Sequence, residues 1–286
     1  MLRHFMLQSI NSRSREIFGY EALFRAGSRA EFRCNPDAAS LVMTDNWLLY
    51  DLEELAGGYP VFLNCTRETL MSGFITLLPQ SAVIEVHGST LDRAVLSACR
   101  RLKAQGYRFA LDDFRSLQGV EAFLELADFI KIDFQLFTGQ ERVNLFATLR
   151  RTGATLIGKM IETPEELAAA LEEGCDLVQG YHLASLLSFA KDRDRVNPLR
   201  CLGLLERLAG HDCTLGEIAY WVARDSGLEA RILRRARWIA KGSHVASIHD
   251  ALELVGKSGV RRLLMLAMSA TLEHRFQAEP ILAESA

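Results

Sequence analysis

Polar side chains close almost every short apolar run in the first two thirds of this chain: Glu21, Asn64, Glu85, Asp112 with Asp113, Lys131 with Asp133, Lys159 with Glu162, and Gln179. Carboxylate and amide oxygens are hard donors that suit Mg2+, Mn2+ or Ca2+ better than zinc. A pair of such ions can clamp a phosphodiester and activate a water for in-line attack. Taken singly, each acid is equally well explained as a helix cap or a surface charge, but their recurrence at run ends asks for more. Asp112 and Asp113 repel each other unless a cation is close. Lys131, set inside Phe129-Ile130-Lys131-Ile132, needs an anionic neighbour if it points inward.

The elements that must position these groups are legible as alternation. Strand-like runs at 3–10, 17–24, 61–65, 82–86, 108–112, 128–133, 155–159 and 176–180 are separated by helical stretches at 37–57, 91–105, 117–127, 137–151 and 164–173. This is the pattern of βα units, and eight strands close a (β/α)8 barrel whose strand ends converge on one face. Thr163 and Glu166, with Pro164 between them, fit a capping box. Beyond Lys191-Asp-Arg-Asp-Arg195 and Asn197-Pro198 only helical periodicity remains, near 199–209, 214–224, 227–240, 247–255 and 258–272. The chain is therefore expected to divide near 190–198 into an α/β barrel, 1–190, and a small all-α part, 198–286. Residues 1–197 carry 21 basic and 26 acidic side chains, residues 198–286 carry 12 and 10.

The bulk composition excludes several classes. With 49% hydrophobic and 24% charged residues among 286, the chain is neither disordered nor fibrous. A net charge of -3 argues against a protein that coats polyanions. The six cysteines form no Cys-x-x-Cys pair and read as buried reduced thiols. No stretch is long and apolar enough for a membrane span or a signal peptide, so the cytoplasm is the expected location.

Glu21-Ala22-Leu23 with Arg25, Asn64, Glu85, Asp112-Asp113-Phe114, Lys131-Ile132-Asp133, Glu162-Thr163 and Gln179-Gly180-Tyr181 stand in the order of the EAL domain, which the region 1–188 resembles. The resemblance implies a TIM-type barrel of the cyclic di-GMP phosphodiesterase family. It implies Glu21, Asn64, Glu85, Asp112 and Asp113 as metal ligands, with Mg2+ or Mn2+ as cofactor if the chain is active. On the same basis Lys131 steadies the attacking water or a ligand carboxylate, Glu162 and Gln179 complete the pocket, and Gln8 and Arg25 meet the nucleotide.

Three departures fall on the machinery of that family. Its motif Ala-Glu-Gly-Val-Glu-Thr, whose first glutamate is the general base, reads Gly158-Lys159-Met160-Ile161-Glu162-Thr163 here. Its loop Gly-Thr-Gly-Tyr-Ser reads Arg115-Ser116-Leu117-Gln118-Gly119, with loss of the glycine-permitted turn. The glutamate that braces the loop is Gly88. The expectation is a catalytically degenerate domain with no required cofactor and at best weak cyclic di-GMP binding, acting through a signalling protein partner. An active metal-dependent phosphodiesterase is the alternative.

The second part resembles the first portion of an HDOD domain, a helical output module, in the EAL-then-HDOD order of proteins similar to YuxH. It is shorter than that domain usually is, which favours self-association as a homodimer. His211-Asp212 and His249-Asp250 read as caps and surface groups rather than metal sites. Arg231, Arg234, Arg235, Arg237 and Lys241 read as a solvated face or a docking site for an acidic partner. A helix-turn-helix over Thr214–Arg237 that binds DNA is a third reading, weakened by the modest charge of this part.

Overall fold

A computed structural model describes residues 3–25, 36–180, 186–191, 196–210, 213–241 and 244–276, with the backbone alone described at 3–5, 24–25, 186–191 and 273–276. The chain opens with β1 (Arg3–Ser12) and β2 (Ile17–Arg25), followed by α1 (Pro36–Tyr50) and α2 (Leu52–Leu55). Then come β3 (Val61–Cys65), α3 (Arg67–Met71), β4 (Val83–His87), α4 (Arg93–Ala104), β5 (Arg108–Asp112) and α5 (Glu121–Leu124). The barrel is completed by β6 (Phe129–Asp133), α6 (Gly139–Leu149), β7 (Thr155–Lys159), α7 (Pro164–Glu173), β8 (Leu177–Val178) and β9 (Leu186–Lys191).

Strands β2 to β8 pair in parallel in sequence order. β1 closes the ring antiparallel to both β2 and β8. One strand of the expected barrel thus runs against the other seven. Four residues join Ser12 to Ile17, enough for a hairpin and far too few for the crossover that a parallel pair requires. A ninth strand, β9, extends the sheet by pairing with Arg3–Gln8 of β1, while β8 takes Asn11 and Ser12 of the same strand.

Side chains alternate along each strand between the barrel axis and the helices. Ile10, Phe62, Val83, Ala110, Phe129, Ile157 and Leu177 form an apolar plug inside the barrel. Outside, Leu63, Val86, Leu111, Ile130 and Leu156 pack in a second apolar layer together with helix residues such as Trp47, Val95 and Phe146. The Thr163 capping box opens α7 as expected. The helical stretch expected at 37–57 is broken at Asp51, whose φ of 54° ends α1 and whose carboxylate caps α2 through the Glu54 amide.

The remaining elements are helical: α8 (Pro198–Ala209), α9 (Leu215–Val222), α10 (Ser226–Ile239) and α11 (Ile248–Phe276), the last interrupted at Gly256. Their buried apolar residues form one cluster that also takes in Leu48, Phe74 and Leu77 from the barrel. No helix among the described residues is long and apolar enough to cross a membrane.

Arg231 and Arg234 of α10 leave the solvated face expected from their spacing, whereas Arg237 and the following Lys241 are exposed. Arg231 is fully buried and forks onto Asp45 of α1 at 2.6 and 2.7 Å. Arg234 donates to the Leu48 carbonyl at 2.9 Å and lies 3.3 Å from Asp51. Spacing along a helix says which side chains share a face; a buried carboxylate on another element decides that the face turns inward. This also removes Arg231 and Arg234 from any groove-reading surface. Asp250 caps α11, exchanging hydrogen bonds with Ser247, whereas His211-Asp212 lies outside the described residues.

Candidate functional site

Two positions beyond six of the seven members of the apolar plug, the next inward side chain is polar. Phe62 is followed by Asn64, Val83 by Glu85, Ala110 by Asp112, Phe129 by Lys131, Ile157 by Lys159 and Leu177 by Gln179. Glu21 adds the β2 member, and Gln8, opposite it in the antiparallel register, approaches from β1. Period-two alternation in neighbouring strands therefore stacks a ring of polar groups on a hydrophobic floor, with Asn64 level with Glu85. A cavity of about 520 Å3 opens onto Gln8, Glu21, Asn64, Asp112, Asp113, Lys159 and Gln179. A second, of about 600 Å3, shares His87, Asp113 and Lys159 with it and extends along Arg115, Ser116 and Gln118.

Lys131 is fully buried and is the hub of the inner group. Its ammonium lies 2.8 Å from Glu21 Oε2 and 3.9 Å from Asp112 Oδ2, and it pairs with Glu85. Asn64 donates to Glu21 Oε1 and Gln179 to Glu21 Oε2, both at 2.7 Å, and Gln179 reaches Gln8 Oε1 at 3.4 Å. Burial alone would raise the Glu21 carboxyl, but Lys131, Gln179 and Asn64 outweigh it and bring its pKa down to about 2. Glu85 moves the other way: burial and the neighbouring Glu21 charge push it well above the usual range against the pull of Lys131, and its Oε2 has no hydrogen-bond partner among the described residues. Lys131 itself is held charged, since Glu21, Glu85 and Asp112 more than offset its desolvation.

Lys159 organises the outer group. Its Nζ lies 2.7 Å from Asp112 Oδ1 and pairs with Asp113. Asp113 also meets His87 Nδ1 at 3.0 Å. The bond to His87, with Lys159 behind it, draws the Asp113 carboxyl far below its ordinary value, and the same bond raises His87. Burial raises Asp112 against the pull of Lys131 and Lys159. Asp113 and Met160 both sit at positive φ, 44° and 61°, so the two residues flanking the Lys159 contact are held in a conformation that costs a non-glycine residue energy.

Not every residue expected at the site joins it. Glu162 is exposed and lines neither cavity; its backbone amide is bound by Glu166, so it belongs to the start of α7. Asp133 lines the second cavity, but its Oδ1 is taken by the following turn, where it accepts from the amides of Gln135 and Leu136. Arg25 ends β2, and its side chain lies outside the described residues. His87 belongs to the site but was not anticipated; its place at the end of β4, two residues after Glu85, was the available signal. Gly88 is more than a missing brace. A Cβ there would stand 2.6 Å from the Phe114 Cβ and 2.9 Å from its Cα, so the loop after the aspartates rests directly on it. That loop keeps one left-handed glycine, Gly119, at φ 89°.

Divalent ions are the group that this family pattern implies. Among the described residues no three His, Cys, Asp or Glu side chains stand together in a way that would hold a metal ion. The carboxylates are shared out between two ammonium groups, with Lys131 on Glu21 and Glu85 and Lys159 on Asp112 and Asp113. Cations repel one another strongly at such distances. As arranged, this donor set does not fit a divalent ion, and no chemical step is derived through one.

A family model for the EAL domain matches residues 3–185. The YuxH protein of Bacillus subtilis is 25% identical over 274 residues, which cover 91% of this chain and 66% of that protein. The cyclic di-GMP phosphodiesterase CdgJ of Vibrio cholerae is 24% identical over 282 residues, 94% of this chain and 64% of that one. The chain thus spans just under two thirds of the length of these relatives. Its fold is similar to that of the Bacillus subtilis YkuI protein with an EAL domain, solved with cyclic di-GMP and calcium, at a TM-score of 0.54 and 19% identity over 88% of this chain and 70% of that one.

Proposed function

This chain belongs to the EAL domain family, and we propose that it is a signalling protein whose barrel pocket is catalytically degenerate and which acts through contacts with another protein. One observation carries the reading: Lys159 occupies the position of the family's general base and spends its charge on Asp112 and Asp113. An ammonium group has no lone pair with which to take a proton from water. Loss of a general base costs about 10²–10⁴ in rate. The same ammonium occupies the charge space of a divalent ion, so cyclic di-GMP binding, where it occurs, is weak.

Incubation of the protein with cyclic di-GMP and Mg2+ or Mn2+, followed by chromatography, is expected to yield no linear dinucleotide above the enzyme-free blank. Turnover at an ordinary enzymatic rate would overturn the reading. The variant Lys159→Glu is expected to bind Mn2+ at least about tenfold more tightly by calorimetry, because a repelling charge becomes an attracting one. An unchanged affinity would argue against the stated mechanism.

An active metal-dependent phosphodiesterase is the rival, favoured by the survival of Glu21, Asn64, Asp112 and Gln179 around one pocket, with the buried pair Lys131 and Glu85 beside them. The hydrolysis assay separates the two. We read the helices from 198 onward as an HDOD-like output module, contacting a cytoplasmic partner or a second copy of the chain. A DNA-binding role loses support because Arg231 and Arg234 turn toward the barrel.

A further inference from the structure

We propose that α1 couples the barrel pocket to the helical segment, so that a change at either is felt at the other; this rests on reading the pocket as a ligand site. Two faces of one helix carry the inference. Pro36, Ala39, Ser40 and Met43, spaced three or four apart, line the pocket. About 140° round the helix from Ser40, Asp45 holds Arg231 in a fully buried two-pronged ion pair. Leu48, one turn further on, packs within the helical cluster, and its carbonyl accepts from Arg234.

Each face is fastened to the part it touches. On the pocket side the Ser40 hydroxyl donates to the Asn64 carbonyl at 3.1 Å and accepts from the Thr66 amide at 3.4 Å, and the Asn64 side chain holds Glu21. On the other side, separating Asp45 from Arg231 would strand a buried charge, a change that interiors resist strongly. Close-packed interiors do not absorb a helix shift locally. A displacement of α1 by a pocket occupant must therefore move α10 with it or loosen it, and docking of a partner on the helical segment must act back on Asn64 and Glu21.

Hydrogen–deuterium exchange on the full chain tests this without any ligand. Ser40→Ala is expected to speed exchange in residues 226–239 about fivefold, the scale of one lost hydrogen bond, while residues 139–149 across the barrel stay unchanged. Conversely, Arg234→Ala is expected to speed exchange in residues 61–66. Should Ser40→Ala loosen residues 139–149 as well, the whole fold has been weakened and Arg234→Ala decides alone. Changes confined in both variants to the elements that touch the mutated residue would overturn the coupling. Because no ligand is used, that outcome would leave the hydrolysis result unaffected, and active hydrolysis would leave the coupling intact.

Discussion

Lys159 Nζ lies 2.7 Å from Asp112 Oδ1, and with this single contact a strand-end carboxylate that family pattern assigns to a metal is committed to an internal cation. Lys131 does the same for Glu21 and Glu85 one layer further in. The pocket is held by ammonium–carboxylate pairing, and its stability and pH response follow from that.

Lys131→Met leaves Glu21 and Glu85 buried without a counter-charge. Removing one partner of a buried ion pair costs about 3–5 kcal/mol, so urea unfolding should show a loss of that size. Adding Glu85→Gln to the same protein should recover part of it. A loss below about 1 kcal/mol would mean that Lys131 is not the counter-ion it is taken to be.

Restoring the family's glutamate at position 88 is expected to fail as a repair. A side chain there meets Phe114 at 2.6 Å, closer than any real packing. Overpacking of this kind costs about 1–3 kcal/mol, read as a fall in Tm for Gly88→Glu. A variant as stable as the parent would show that the loop after Asp113 relocates freely.

At Met160 the opposite substitution is favourable. Its φ of 61° is the left-handed region, and the family pattern has glycine there. Met160→Gly should stabilise by up to about 1 kcal/mol, the relief of strain exceeding the added freedom of the unfolded chain. A loss of stability on denaturant titration would contradict this.

His87 makes stability depend on pH near neutrality. Its pKa is raised by Asp113, so its contribution is whole below about pH 6.5, the unfolded value, and disappears as pH rises through the folded value. Asp113, lowered by the same contact, keeps its own share until strong acid. Both side chains are partly solvated, which limits the effect to about 1 kcal/mol or less. Stability measured from pH 6 to 8 should fall with rising pH, and His87→Gln should flatten that slope; an identical slope in the variant would exclude His87 as its source.

Strand positions, most helix spans, the cap at Thr163 and the ring of polar groups after Phe62, Val83, Ala110, Phe129, Ile157 and Leu177 were all determined by the sequence itself. Each depends on local chemistry or on a period of two, and both are written along the chain. The reversal of β1 was also written there, in the four residues between Ser12 and Ile17. Which charge neutralises which was not. Nothing near Lys159 in sequence says that it reaches Asp112 and Asp113 at the end of β5, that Glu162 turns out to solvent, or that Arg231 finds Asp45 on a helix 186 residues earlier. Those pairings depend on distances between elements brought together only by closure of the barrel and docking of α10, and Coulomb energy depends on separation in space and on burial rather than on order along the chain.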